Sequence, residues 1–516
     1  MANIRAIGVC VGALLCLFAS TSNASTISVD AGGDLQAALV NAQPGDTILL
    51  ARGAVYIGNF VLPNKGGAST ITVRTNGDAD LPGDGQTISP ANAPQLAVIK
   101  TPNSGPAIQT APGAHHWKLM LLEVAATGGN DIILLGDGSS AQSQLSMVPH
   151  DLVVDRLYVH GDGVNGQKRG IALNSASTTI TGSYISEIKL VGQDSVGVGG
   201  WNGPGPYTIT SNYIEAATEN VMFGGADPAI PNLVPADIVI AGNVLSKPIA
   251  WRSQNWVTKN LLEFKNARRV TVVGNMLQYN WQGGQSGYAI LLTVRNQDGS
   301  CPWCQVDHIT IEQNTVAHVA AGINILGYDN NYPSQQTNAI VIRNNLFADV
   351  DSQNWGGNGY FALITGQPRD ITIDHNTIIS DHGSGILQVD GPPILQFTFT
   401  NNMAKVNDYG IIGTSHGPGN DSITAFLPAS TIAMNVLAGG NPAVYPGGNA
   451  FPTTAQYEAQ FVSYATGDYR LIPASPWHGA GTDGLDLGAI VGSGVAAPIA
   501  APTAPNGGSP PRNIDN

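Results

Sequence analysis

The sequence predicts an all-β solenoid, in which short β-strands form coils that stack on one another and a helix closes the N-terminal end. First, a strand-like run of β-branched and apolar residues followed by Asn recurs between residues 150 and 440, with successive Asn 26 to 39 residues apart. Second, 63 of the 516 residues are Gly and only 11% are charged, which argues against a coiled coil or a helical bundle. The recurrent residues are Asn212, Asn243, Asn275, Asn314, Asn345, Asn376, Asn402 and Asn435.

The regular spacing of these Asn predicts an internal ladder. Each coil of a solenoid buries its inward side chains on its neighbours, so equivalent positions of successive coils lie above one another. Stacked amides can then hydrogen-bond from coil to coil. Because Asn tolerates a left-handed backbone, we also expect each Asn to occupy the left-handed position of a turn.

The two ends of the chain differ from the repeats. Residues 1–24 combine Arg5, an apolar stretch and a run of small polar residues, which is typical of a secretory signal peptide. Residues 32–39 predict a short amphipathic helix that would cover the open end of the solenoid. Residues 492–516 are rich in Pro, Ala and Gly and predict a disordered tail. The predicted domains are therefore the signal peptide, one solenoid domain over 25–491 and the tail.

Charge and cysteine content restrict the partners and the compartment. The net charge of −14 disfavours nucleic-acid binding, and no segment after the signal peptide is long and apolar enough to span a membrane. We expect a monomer that is secreted or periplasmic. After removal of the signal peptide only Cys301 and Cys304 remain, and they predict a small loop disulfide rather than a redox dithiol, because no thioredoxin-like βαβ pattern surrounds them.

A second strand follows each recurrent Asn, and its alternation predicts which side chains face outward. The inward residues would be Phe223, Phe264, Val294 and Ile325. The outward residues, which would form one continuous face, are Met222, Glu263, Lys265, Thr293, Arg295 and Asn324. We expect the catalytic and substrate-binding side chains to lie on this face.

The Asn phrase, the helical plug and the coil length together resemble the right-handed parallel β-helix of the pectate-lyase-like superfamily, over most of residues 26–490. The resemblance implies a single-stranded right-handed parallel β-helix with an N-terminal capping helix. It does not by itself imply one activity, because this fold carries lyases, hydrolases, esterases and phage adhesins.

A narrower resemblance is to the chondroitinase-B and alginate-lyase family, polysaccharide lyase family six. It rests on Pro44-Gly45-Asp46-Thr47-Ile48 and on three successive coils, in which Glu219, Lys265 and Arg295 match the family's Glu, Lys and Arg. It implies an acidic polysaccharide as partner. It also implies calcium, for which Glu219, Glu263 and Asn324 are the oxygen ligands available. The sequence departs from the family's pattern at Met222, Asn260 and Asn296.

These residue types suit β-elimination from a uronate polymer. Lys265, with its pKa lowered by flanking Arg cations, would remove the proton next to the carboxyl group, and Arg295 would act as acid or clamp the carboxylate. Six cations within residues 247–269, opposed only by Glu263, suggest a surface for a polyanion. The expected substrate-binding residues are Glu263, Lys247, Arg252, Trp256, Trp281 and Asn324, the Trp rings because apolar ring faces stack on sugars.

Two other functions stay open at this point. A glycoside hydrolase needs paired carboxylates, which Glu219, Asp227 and Glu263 could supply, although the Asp-Asp pair and the Arg-Ile-Lys phrase of β-helix galacturonan hydrolases do not occur. A non-catalytic glycan-binding protein would need no base within the cation cluster.

Overall fold

The computed structural model describes residues 24–490 and confirms a right-handed parallel β-helix. The predicted signal peptide, up to residue 23, and the predicted C-terminal tail lie outside the described residues. Three parallel sheets of 14, 13 and 12 strands run along the solenoid, and we name them sheets A, B and C in the order in which the chain visits them. Within residues 24–490, no helix is both long and apolar enough to cross a membrane.

Each complete coil contributes one strand to each sheet, and the coils at the two ends contribute fewer. Sheet A consists of Thr26–Val29, Thr47–Leu50, Ile71–Thr75, His115–Met120, His150–Asp155, Ala176–Thr181, Tyr207–Thr210, Ala236–Ala241, Ala267–Val273, Val306–Glu312, Asn338–Arg343, Arg369–Asp374, Leu395–Thr400 and Thr431–Ala433. Sheet B consists of Val55–Ile57, Ala97–Lys100, Leu122–Ala125, Tyr158–His160, Tyr184–Ile188, Tyr213–Ala216, Val244–Ser246, Met276–Asn280, Thr315–Val319, Leu346–Val350, Thr377–Ile378, Met403–Lys405 and Val436–Ala438. Sheet C consists of Phe60–Leu62, Ile108–Thr110, Asp131–Leu135, Arg169–Leu173, Val196–Gly200, Glu219–Phe223, Asn260–Phe264, Tyr288–Thr293, Ala321–Leu326, Ala362–Thr365, Gly385–Val389 and Gly410–Gly413.

The predicted N-terminal plug is the helix Leu35–Asn41. Asp34 caps it by accepting a hydrogen bond from the backbone N–H of Ala37, and its buried face packs into the core of the first coils. The other α-helices are Ser352–Trp355, Asn420–Phe426 and Thr454–Glu458, and the 3₁₀ helices are Pro90–Gln95, Leu145–Met147, Ile249–Ser253, Pro442–Val444 and Tyr464–Thr466.

The Asn ladder is present at the turn from sheet A to sheet B. Each side-chain amide from Asn212 to Asn402 donates to the Oδ1 of the next ladder Asn at 2.9–3.1 Å, and Asn449 extends the ladder beyond Asn435. The backbone expectation is wrong, because the left-handed residue is the one before the Asn, as at Ser211 (φ 56°) and Gln313 (φ 56°). That residue makes the turn, which leaves the Asn amide pointing inward.

The outward side of sheet B is largely covered. The C-terminal segment, including the antiparallel strands Phe461–Ser463 and Asp468–Leu471, packs Tyr457 and Trp477 against the last coils. Further upstream, Glu215 is buried beside Glu187 and Tyr213, and burial followed by the charge of Glu187 raises its pKa to about 8. The predicted functional residues lie instead on or beside the sheet C strands Glu219–Phe223, Asn260–Phe264 and Tyr288–Thr293.

We expect Asn314→Ala to lower the free energy of unfolding by about 2–4 kcal/mol, because the buried backbone N–H of Asn275 loses its acceptor, Asn314 Oδ1, and the Val272 carbonyl loses the hydrogen bond from the Asn314 amide. Urea unfolding followed by circular dichroism measures this. The adjacent Gln313→Gly is the matched control. Gly accepts the left-handed backbone at this exposed position, so stability should stay within about 1 kcal/mol of wild type. Equal losses in both variants would contradict a specific role for the ladder.

We expect Glu215→Gln to flatten the loss of stability between about pH 4.5 and pH 8. The pKa of Glu215 is about 8 in the fold against an ordinary 4.5, so its contribution to stability is complete below pH 4.5 and is lost as pH rises through 8. Melting temperatures between pH 5 and 9 measure the difference. Glu312→Gln, which alters a surface carboxylate paired with Arg343, should follow the wild-type curve.

Candidate functional site

The outward side of sheet C gathers most of the predicted functional residues. Phe223, Phe264, Val294 and Ile325 are fully buried in the core, as predicted. The strand Asn260–Phe264 departs from simple alternation, because Leu261 and Leu262 both pack inward. Asn260 and Glu263 consequently lie on the same outward side, where the Asn260 amide donates to Glu263 Oε2 at 3.1 Å.

Two carboxylates form the buried floor of this site. The side chains of Glu219 and Glu263 are 0% and 1% exposed. Neither oxygen of Glu219 accepts a hydrogen bond from any residue in the described range, and its nearest cation is Lys259, 3.9 Å from Oε1. Burial, with Glu263 adding to it, raises the pKa of Glu219 to about 8. Asn260 Oδ1 is likewise buried and unpaired within residues 24–490.

Lys265 lies above this floor with its side chain 14% exposed and its Nζ 3.5 Å from Glu263 Oε1. The expectation of a lowered pKa is wrong. Burial acts to lower the pKa of Lys265, but Glu263, Glu219 and Asp194 outweigh burial and raise it. The groups that decide its protonation are therefore carboxylates rather than Arg side chains.

Arg295 lies on the next coil, and its backbone N–H donates to the Lys265 carbonyl at 2.9 Å. Its guanidinium is 28% exposed and donates to Asp329 Oδ1 at 2.8 Å. Asp329 was not predicted from the sequence. Although burial raises its pKa, the backbone N–H groups of Asn331 and Asn296 and the Arg295 guanidinium lower it overall, so Asp329 is an ionised anchor that orients Arg295.

The predicted cation surface is wrong, because five of its six members are buried or paired elsewhere. Lys247 is fully buried, and its ammonium donates to the carbonyls of Ala216, Thr218 and Asn260 and to Asn220 Oδ1. It cannot reach a substrate. The other four pair as Lys259 with Asp194, Arg268 with Asp307, Arg269 with Asp237, and Arg252 with the ring of Trp355. Lys265 faces the site, and Lys259 reaches its edge, with Nζ 3.9 Å from Glu219 Oε1.

The two Trp residues predicted to bind sugar belong to a loop cluster at the corner between sheets B and C. Trp281 is buried against Trp251 and Ala217, so it offers no ring face to a ligand. Trp256 is half-buried on the same cluster, and Lys189 Nζ lies 5.0 Å from its ring centroid. These rings hold the loop onto the solenoid.

The two remaining predicted site residues, Asn324 and Asp227, both lie apart from the carboxylate floor. Asn324 faces outward, but it lies two coils from Glu263, through Leu291, a separation of about 10 Å. It cannot share an ion with Glu263. Asp227 is not part of the carboxylate floor, because it accepts hydrogen bonds from the backbone of Gln297, Asp298 and Ser300 and ties down that loop.

The predicted disulfide joins Cys301 and Cys304. Together with Asp227, these sulfurs form the one close group of three metal-ligand side chains found within residues 24–490. The disulfide and the hydrogen bonds of Asp227 occupy those atoms, so the group does not carry a metal site.

Solved structures of polysaccharide-processing β-helices resemble this chain. The PL6 family alginate lyase AlyGC matches at a TM-score of 0.51 with 13% identity, over 83% of this chain and 53% of that chain, so this chain spans about half of its length. A mannuronic acid specific polysaccharide family 6 lyase from the human gut microbiota matches at 0.48 and 12%, over 84% and 93%. The catalytic unit of a GH87 alpha-1,3-glucanase from Streptomyces thermodiastaticus strain HF3-3 matches at 0.46 and 13%, over 84% and 70%. The likeness to AlyGC confirms the predicted fold. No protein-family model and no curated protein sequence matches the chain.

We expect Glu263→Gln to lower the pKa of Lys265, because it removes the nearest negative charge. Reductive dimethylation at several pH values, with Lys265 labelling quantified by mass spectrometry, measures the midpoint. Glu187→Gln removes a carboxylate that pairs with Lys189 on another sheet, and it should leave that midpoint unchanged. An identical midpoint in wild type and Glu263→Gln would show that Glu263 does not control Lys265.

Proposed function

We propose that this protein is an exported polysaccharide lyase that cleaves a uronate-containing chain by β-elimination on the outward side of sheet C. One observation carries the proposal: Lys265 and Arg295, on adjacent coils, are the accessible polar ends of a cluster whose carboxylates are buried. β-Elimination needs a base and a cation for the substrate carboxylate, and these two side chains supply them.

In the proposed reaction Lys265 Nζ accepts the proton from the carbon next to the uronate carboxyl group. Arg295 pairs with that carboxylate, and its orientation is set in advance by Asp329. The resulting Lys265 ammonium then returns the proton to the leaving oxygen. Since the pKa of Lys265 is raised, the neutral amine is scarce at neutral pH, and the rate should rise towards alkaline pH.

The floor of the site fits a hard cation such as Ca²⁺. Both oxygens of Glu219 and Oδ1 of Asn260 are buried without a donor from residues 24–490, and oxygen atoms of this kind are the ligands that Ca²⁺ prefers. Glu219, Asn260 and Glu263 would hold the ion. When bound, it would neutralise negative charge on the substrate and on the floor, which would lower the pKa of Lys265.

The surroundings of Lys265 favour a substrate of low charge density. The central outward column of sheet C contains a single charged residue, Glu263. From coil to coil its members are Leu134, Ala172, Gly199, Met222, Glu263, Leu291, Asn324, Leu363 and Gln388. Such a column offers no cations to a chain with a carboxylate on every sugar. The proposed substrate therefore carries one uronate at the cleaved position between neutral sugars.

Hydrolysis is less well supported. A glycoside hydrolase needs two carboxyl groups that touch the glycosidic oxygen and water, but Glu219 and Glu263 are shielded from solvent. A protein that only binds glycans would not need a lysine such as Lys265 paired with buried carboxylates.

We expect the purified protein to generate ultraviolet absorbance from the new conjugated double bond when it is incubated with a uronate polymer, and Lys265→Ala to lower the rate at least about 100-fold. Lys168→Ala changes a lysine beside the sheet C strand Arg169–Leu173 and should retain wild-type activity. New reducing ends without absorbance would indicate a hydrolase. Binding without either product would indicate a glycan-binding protein.

Among substrates, unsulfated polymers in which uronates alternate with neutral sugars should be cleaved faster than alginate, pectate or glucuronan. The comparison is made at equal uronate concentration in the same absorbance assay. Faster cleavage of a polyuronate would contradict the role given to the uncharged column.

We expect Ca²⁺ to raise the melting temperature of wild type but not of Glu219→Gln, because the variant loses the ionised oxygens of the floor. Differential scanning calorimetry with and without a chelator measures the shift. Glu123→Gln, which removes a partly exposed carboxylate paired with His160 on sheet B, is the matched control and should respond as wild type does.

A further inference from the structure

Three imidazoles and a carboxylate converge at the start of two neighbouring strands of sheet A, far along the chain from the site on sheet C. His115 and His116 begin the strand His115–Met120, and His150 and Asp151 begin the strand His150–Asp155. His115 is in register with His150 on the next coil. We call these four residues the imidazole cluster.

The nitrogen and oxygen atoms of the cluster are close together. Nδ1 of His115 lies 2.7 Å from Nδ1 of His116, and Nδ1 of His150 lies 2.7 Å from Oδ2 of Asp151. The two pairs approach each other where His116 Nε2 lies 3.8 Å from Asp151 Oδ2. The ring centroids of His115 and His150 are 4.9 Å apart.

The backbone gathers these side chains by a turn that recurs near the start of sheet A strands, as at Ser177 and Asp237. His116 and Asp151 both occupy the left-handed region, with φ of 58° and 53°, immediately after the first residue of their strands. This conformation is unfavourable for residues other than Gly. On each strand two consecutive side chains consequently lie close enough for their polar atoms to meet, which an extended strand with alternating faces would prevent.

We propose that the imidazole cluster binds one divalent transition-metal ion, of the class of Zn²⁺, Ni²⁺ or Cu²⁺. Imidazole nitrogens with one carboxylate oxygen form a donor set that suits these ions and not Ca²⁺ or Mg²⁺. Metal ions bind the neutral form of the imidazole ring.

Binding of one ion requires the side chains of the cluster to rotate, because no three of their ligand atoms all lie within 4.8 Å of one another. The side chains of His116, His150 and Asp151 are 24%, 42% and 46% exposed, so their rings and carboxylate can rotate and an ion can enter from solvent. The bound ion would join two adjacent coils that are otherwise linked here by backbone hydrogen bonds. It would therefore stabilise the N-terminal half of the solenoid.

Titration of the tag-free mature protein with ZnCl₂ in an isothermal calorimeter tests the proposal. We expect one ion per chain, with affinity at least roughly ten-fold weaker in His150→Ala and in His115→Ala. Zn²⁺ should raise the melting temperature of wild type and not of these variants. His308→Ala is the matched control, because His308 also follows the first residues of a sheet A strand and pairs with Asp307, but no second or third imidazole is near it among residues 24–490.

A second measurement uses the wild-type protein, so its result does not depend on whether a variant folds. Diethyl pyrocarbonate should modify His150 in the wild-type protein, and Zn²⁺ should protect it while leaving His308 reactive. Glu219→Gln should bind Zn²⁺ as wild type does, which separates this site from the carboxylate floor on sheet C. Absence of Zn²⁺ binding, equal binding in wild type and His150→Ala, or a failure of Zn²⁺ to protect His150 in the wild-type protein would overturn the proposal.

Discussion

The register between successive coils is the constraint on which the rest of the structure depends. The Asn ladder fixes it at the turn from sheet A to sheet B, because each amide bonds both to the next Asn and to the backbone of the preceding coil, as Asn314 does with Asn345 and Val272. A shift by one residue would exchange inward and outward side chains on a whole strand. With the register fixed, residues about 30 positions apart in sequence become neighbours, and Lys265 and Arg295 lie side by side.

Periodic features of this fold could be predicted from the sequence, whereas pairings between coils could not. The recurrent Asn and the alternating strands predicted the solenoid, its ladder and the inward Phe223 and Phe264, because those signals are local and repeated. The doubled inward position at Leu261 and Leu262 breaks the alternation, so it escaped prediction although it places Asn260 and Glu263 together. Asp329 and Asp194 lie in loops 34 and 65 residues from Arg295 and Lys259, their partners, and no local pattern relates such residues.

The cation cluster in the sequence predicted a charged surface that the fold does not form, because its side chains point in different directions. A run of Lys and Arg in sequence is a surface only if its side chains share one exposed side, but in a coil that is about 30 residues long the run passes through a corner, a loop and two sheets. Lys247 points into the solenoid and Arg252 onto Trp355, while Lys265 and Lys259 approach the carboxylate floor. That floor then reverses the expected pKa shift of Lys265, because buried carboxylates act on it more strongly than burial itself.

The two proposed ion sites would not interfere with each other. On the outward side of sheet C, oxygens of Glu219 and Asn260 have no hydrogen-bond partner among residues 24–490, and oxygen ligands suit a hard cation. In the imidazole cluster the available ligand atoms are mostly imidazole nitrogens, which suit a softer cation. Since side chains in both places are positioned by coil-to-coil register rather than by each other, filling one site does not require movement at the other. Coupling between them would need a solenoid that changes its pitch or register, and the continuous Asn ladder opposes that change.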